Sequence, residues 1–170
     1  MPAARQEKAY EKHAWTLLFA LGVVGLLLAL IDIFSSTPDG DYLVMFRNFS
    51  GTTWEKLLAA DPGVANFIRF ILRGLGLALA GSNLFLMAVA LKSFRRGEKW
   101  AWYVSLYLPV SFGIVTALDF KAGGIGWPVL LVFLIISLLG LVLPYRKFFP
   151  KEQAVAFMTE SSRLPATDFT

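Results

Sequence analysis

The stretch from Asn66 to Leu91 constrains this chain more than any other. It reads NFIRFILRGLGLALAGSNLFLMAVAL, which exceeds the roughly 20 residues a helix needs to cross a bilayer. Yet it carries Arg69 and Arg73. An ion at the centre of a membrane helix costs roughly 2.5–3.5 kcal/mol, so each arginine needs a partner or a purpose. Three more long apolar runs occupy Ala14 to Phe34, Trp100 to Leu118 and Trp127 to Leu143. They account for a hydrophobic content of 56%, above the roughly 45–50% usual in soluble domains. The expected fold is all-α: an integral membrane four-helix antiparallel bundle with a short extracytoplasmic surface helix. Its transmembrane domain covers residues 1–148, with helices over about 14–34, 66–91, 100–118 and 127–143, and residues 149–170 form a cytoplasmic tail.

Punctuation along the chain supports this division. The first run exceeds the apolar core of a signal peptide and lacks a small-residue cleavage site, so it reads as a retained helix. Ser35 to Gly40 is a turn cluster. The loop over residues 35–65 holds a possible short helix capped by Thr53, with Trp54, Leu57 and Leu58 on its apolar side, stopped at Asp61-Pro62-Gly63. Such a piece suits the membrane interface. Asn48-Phe49-Ser50 matches a glycosylation acceptor, a tripeptide frequent by chance. Gly97 is a natural left-handed helix stop. Pro109 removes a backbone donor, frees the carbonyl of Ser105 and predicts a kink in the third helix. The tail contains a weakly amphipathic piece over Gln153 to Met158, and Ser161 to Thr170 reads as disordered.

Charge sets the orientation. The net charge is +4, and most cations flank the apolar runs: Arg5, Lys8 and Lys12, then Lys92, Arg95, Arg96 and Lys99, then Arg146, Lys147, Lys151 and Arg163. They read as topology signals rather than a nucleic-acid face, and the positive-inside rule places both termini and the middle loop in the cytoplasm. Trp15, Trp100, Trp102, Tyr103 and Tyr145 form an inner aromatic belt, and Tyr42, Trp54 and Trp127 an outer one. Arg95, Arg96 and Lys99 are candidate contacts for a lipid headgroup.

This topology puts Asp32, Arg69, Arg73 and Asp119 at similar depth near the outer face. Arg69, Arg73, Gly76, Ala80, Asn83 and Met87 form one helical stripe, matched by Gly22, Gly25, Ala29 and Asp32 on helix one. Ser105, Pro109, Phe112, Thr116 and Asp119 make a third. Small residues allow close approach and polar ones link helices, so these stripes should face the interior, leaving helix four the most lipid-exposed. Three readings of the cluster follow. Two Arg–Asp pairs cross-link three helices, or the residues line an outer pocket for an anion, a lipid headgroup or a small polar ligand, or they form a docking surface for another membrane subunit. Asn83 is a further candidate at mid-membrane.

Chemistry is sparse. There is no cysteine and one histidine, which excludes disulfides, thiolate metal sites and multi-histidine centres. No metal-ligand cluster, Ser-His-Asp set or paired catalytic acids stand out. No cofactor is expected, and the Arg73-Gly-Leu-Gly glycines follow no strand and are no nucleotide loop.

Arg73-Gly-Leu-Gly, the run Phe94-Arg-Arg-Gly-Glu-Lys-Trp-Ala-Trp-Tyr103 and Pro109, with Thr53-Trp-Glu-Lys-Leu and Pro62 upstream, resemble small uncharacterised prokaryotic four-helix membrane proteins of the DoxX-like type. The resemblance covers roughly Trp54 to Asp119. It implies the four-helix fold and a prokaryotic plasma membrane, and no reaction. The expected function is a non-enzymatic integral membrane protein, an accessory or structural component of a membrane assembly. Its partners would be the bilayer and another membrane protein or a second copy, with no nucleic acid. The alternative is a ligand-binding or transport protein using the outer Arg/Asp pocket.

Overall fold

The computed structural model describes residues 13–149. The expectations for the N-terminal segment and for the tail beyond Phe149 fall outside the described residues. All regular structure among the described residues is helical: α1 (Trp15–Phe34), α2 (Gly40–Ser50), α3 (Trp54–Ala60), α4 (Pro62–Val89), α5 (Lys99–Ser105), α6 (Tyr107–Ala122), α7 (Trp127–Val142) and α8 (Tyr145–Phe148). A π-helical segment, Ala90–Phe94, prolongs α4. Four stretches are long and apolar enough to cross a membrane: Trp15–Phe34, Pro62–Phe94, Lys99–Ala122 and Trp127–Phe148.

Local chemistry explains the boundaries. Thr53 caps α3 by accepting from the Lys56 amide. The loop holds two helices rather than one, because Asp39 caps α2 through the Tyr42 amide at 2.9 Å and Gly51 closes it at φ +68°. Asp61-Pro62-Gly63 does more than stop α3. Asp61 accepts from the Val64 amide at 3.0 Å and Pro62 occupies the first turn, so α4 starts at Pro62 instead of Asn66. Gly97 ends the next turn at φ +77°, as its position predicts. The third long stretch breaks at Leu106, three residues before Pro109. It runs on to Ala122, so Asp119 lies in the last turn of α6 and not in the following loop.

Packing runs α4–α1–α7–α6. In the α1–α4 seam, a Cβ added at Gly22 would stand 2.6 Å from Met87 Cγ, and one at Gly76 would stand 3.1 Å from the Ala29 carbonyl oxygen. A Cβ at Gly25 would fall on the Asn83 side chain. Numbers rise on α1 as they fall on α4, and the two small-residue stripes read from the sequence are the two sides of this seam. The same inverse register links α6 to α7, through Phe112 with Phe133 at 5.6 Å and Phe120 with Trp127 at 5.7 Å.

Helix α7 is central, contrary to the expectation that it is the most exposed. Ser137 and Gly140 are buried, and a Cβ at Gly140 would lie 2.9 Å from Leu18 Cδ2. Two small residues suffice to seat α1 against it. α4 and α6 meet chiefly through the π segment and α5 rather than along their lengths. There a core gathers Leu18, Leu86, Val89, Ala90, Phe94, Ala101, Leu108, Leu141 and Phe148.

The size distribution is inverted relative to a soluble domain. Glycine, alanine and serine fill much of the interior, while Leu27, Ile31, Phe67, Phe70, Leu77, Phe85, Val110, Ile114 and Val142 point outward. Apolar surface on this scale calls for an apolar environment or a partner.

Candidate functional site

Polar side chains collect at the two ends. Among the described residues, Lys92, Arg95, Arg96, Lys99, Arg146 and Lys147 share one end with a single carboxylate, Glu98. The opposite end mixes Asp32, Asp39, Asp41, Glu55, Asp61 and Asp119 with Arg47, Lys56, Arg69, Arg73 and Lys121. We call these the basic and the mixed end.

At the mixed end the structure brings Asp32, Arg69 and Arg73 together, with Ser35, Thr37, Pro38, Asp39, Tyr42 and Leu72, around a shallow recess with room for little more than a water molecule. Three elements place them: the last turn of α1, the cap and first turn of α2, and two successive turns of α4. Arg69 Nη1 donates to Asn66 Oδ1 at 3.2 Å, and its guanidinium carbon stands 5.4 Å from the centre of the Trp54 ring. Its Nε is buried with no acceptor. Tyr42 has its hydroxyl pushed up to about 12, first by burial and then by the negative charges of Asp32, Asp39 and Asp41.

Asp119 does not join this group. The fold seats α6 beside α7, and the Asp119 carboxylate faces Asp41 of α2 across the glycine turn that follows. Asp41 Oδ1 accepts from the amides of Ile125 at 2.7 Å and Gly126 at 3.1 Å, and so pins the turn just ahead of α7 from another helix. Asp119 is 5% exposed, and its carboxylate lies beside Asp41 and the amides of Gly126 and Trp127 without a well-aligned hydrogen bond to either oxygen. A Cβ at Gly124 would collide with Asp119 Oδ1, and one at Gly126 would lie 2.6 Å from Asp41 Oδ2, which accounts for both glycines. Asn48 Nδ2 completes the junction, donating to the carbonyls of Ala122 at 3.0 Å and Gly123 at 3.2 Å. Sequence reasoning missed Asp41 and Asn48. Their signal was the Asp39 cap followed by Gly51, which marks a helix able to carry them.

Asn83 is likewise elsewhere. Its Nδ2 donates to the Leu79 carbonyl of its own helix at 2.8 Å, and its side chain fills the hollow above Gly25. It acts as packing in the α1–α4 seam. Ser82 bonds to Ala78 O in the same way at 3.0 Å.

At the basic end Arg95 lies over Trp15, at 5.4 Å from the ring centre, and Lys99 over Phe149 at 5.9 Å. Lys147 Nζ donates to the Arg95 carbonyl at 3.1 Å. Among the described residues no group of three His, Cys, Asp or Glu side chains is arranged to hold a metal ion.

No family model, no curated protein and no solved structure matches the chain.

Proposed function

We propose that this chain is a multi-pass integral membrane protein, an antiparallel four-span bundle that serves as a non-enzymatic accessory or structural component of a larger membrane assembly. In this reading α1, α4 with its π segment, α5–α6, and α7–α8 are the spans. The basic end and both termini face the cytoplasm, and α2 and α3 lie at the outer interface. The resemblance of the central motifs to small DoxX-like membrane proteins favours a prokaryotic plasma membrane.

One observation supports the assembly role above the others. The face of α4 turned away from α1 is lined by Gly74, Ala78, Gly81 and Ser82, and a Cβ at Gly74 or Gly81 would meet nothing within 4 Å. Small residues left open on a span allow a second helix to approach closely. Native mass spectrometry after mild extraction tests this. The wild type should carry a fixed partner subunit or a second copy, and Gly81→Leu should lose it while unfolding at the wild-type temperature. Gly25→Leu is the contrast, since it should destabilise the chain itself. A wild-type protein found only as a single chain, without a partner, contradicts the assembly role.

A second reading rests on Arg69 Nε, which is buried without an acceptor beside the recess. A small polar ligand carrying both charges would suit a site that offers Asp32 and Asp39 as well as Arg69 and Arg73. Arg73→Ala separates the two. Loss of a bound small molecule from a protein of unchanged stability supports the pocket, and lowered stability with nothing lost supports a structural role.

A further inference from the structure

We propose that the basic end is a binding site for the phosphate of an anionic phospholipid headgroup, built from Lys92, Arg95, Arg96 and Lys99. The inference rests on the reading that the chain spans a membrane, and it assigns a ligand to a surface that the assembly role leaves unused.

The site is constructed from two segments far apart in sequence. Phe94 turns inward from the π segment and packs on Phe148 of α8, with ring centres 4.8 Å apart, and both rings are buried. Lys147 Nζ is tied to the Arg95 carbonyl, and its methylene chain lies over Gly97, where a Cβ would stand 3.2 Å from Cε. These contacts hold the turn from Lys92 to Lys99 firmly, leaving Lys92, Arg95, Arg96 and Lys99 exposed. A π turn that presents side chains in this way is a frequent device at binding sites.

Donor chemistry points to phosphate. Arg95 holds its guanidinium carbon 5.4 Å from the centre of the Trp15 ring while the residue stays exposed, so the fork of N–H donors can meet an oxyanion. Lys99 is exposed, with its Nζ 5.9 Å from the centre of the Phe149 ring. Among the described residues the one carboxylate at this end is Glu98, which accepts from Trp100 Nε1 at 2.6 Å and also neighbours Ser93 and Arg96, so Lys92, Arg95 and Lys99 are the cations it leaves to an incoming anion. The surroundings point to a lipid rather than a free ion. Trp15, Trp102, Tyr145 and Phe149 are clustered at this end, with Trp102 and Phe149 ring centres 5.2 Å apart and Tyr145 and Phe149 5.0 Å apart. Such amphipathic rings settle at headgroup depth. A cation beside an anionic leaflet gains roughly fivefold in affinity. Neutralising two should therefore cost roughly 30-fold if the contributions combine independently.

The test uses the full chain reconstituted in vesicles, with tryptophan quenching by brominated phosphatidylglycerol or brominated phosphatidylcholine as the readout. The wild type should select phosphatidylglycerol. The double variant Arg95→Gln, Arg96→Gln should lose roughly 30-fold in that preference, while Arg95→Lys, Arg96→Lys should retain most of it. Lys56→Gln, Lys121→Gln, at the other end, should leave it unchanged. Equal quenching by both lipids in the wild type overturns the proposal. So does displacement of phosphatidylglycerol by inorganic phosphate at matched concentration, which would assign an ion site. Absence of quenching by either lipid would instead mean that the chain does not enter the bilayer, a failure of the membrane reading itself.

Discussion

At Gly25 of α1 and Gly76 of α4 the approach of the two helices leaves no space for a side chain, whereas Gly74 and Gly81 face open space on the far side of α4. The two pairs therefore have different consequences. A bulky replacement at Gly25 or Gly76 forces the seam apart at a cost of about 1–3 kcal/mol, which thermal denaturation in detergent would read. Tyr42 supplies a pH-dependent counterpart. Its folded hydroxyl is raised from 10.0 to about 12, so folding favours the protonated phenol. That stabilisation is complete below pH 10 and is lost as pH rises through about 12. An alkaline titration followed by phenolate absorbance should show one late-ionising tyrosine that Tyr42→Phe removes. Unchanged titration curves in the variant would contradict the packing described around the recess.

Among the elements, the junction of α2 with the α6–α7 turn is the one the sequence concealed. Helix α2, GDYLVMFRNFS, is short and buries no residue fully, with Asp41, Arg47 and Asn48 among its apolar residues, so its caps are its clearest mark. The boundaries of α3, the stop at Gly97 and the interruption near Pro109 were legible because each depends on local backbone chemistry. The position of Asp119 was not. Its depth followed from helix length, but its neighbour depends on whether α6 packs beside α4 or beside α7, which no stripe of small residues decides alone. Ser137 and Gly140, two small residues on an otherwise bulky apolar helix, are enough to make α7 central. The junction carries its own prediction. Asp41→Ala removes the two hydrogen bonds that pin the turn ahead of α7 and should lower stability by about 1 kcal/mol or more. Asp119→Asn keeps the shape, relieves the repulsion of two facing carboxylates and places an amide donor against Asp41, so it should raise the unfolding temperature. A lower temperature for Asp119→Asn would mean that the carboxylate itself has a partner essential to the fold.

For the molecule as a whole, three features follow one logic. Small residues are inside, large apolar side chains are outside, and among the described residues one end carries cations with a single carboxylate while the other mixes both signs. The four stretches were legible from length and apolarity alone, since only a bilayer or an unusually large core makes use of them. The paired registers of α1 with α4 and α6 with α7, and the weak meeting of α4 with α6, needed the coordinates. The mixed-end cluster was legible in part: Asp32, Arg69 and Arg73 share a recess, while Asn83 belongs to a seam and Asp119 to a junction. The central claim is that the four stretches cross a membrane with the basic end in the cytoplasm. Because the chain has no cysteine, single-cysteine variants report position without background. Labelling by a membrane-impermeant maleimide in intact cells should modify Thr52→Cys and Gly124→Cys at once, and Arg96→Cys and Arg163→Cys only after the membrane is permeabilised. Labelling of Arg96→Cys in intact cells, or recovery of all four variants in the soluble fraction, would contradict the account.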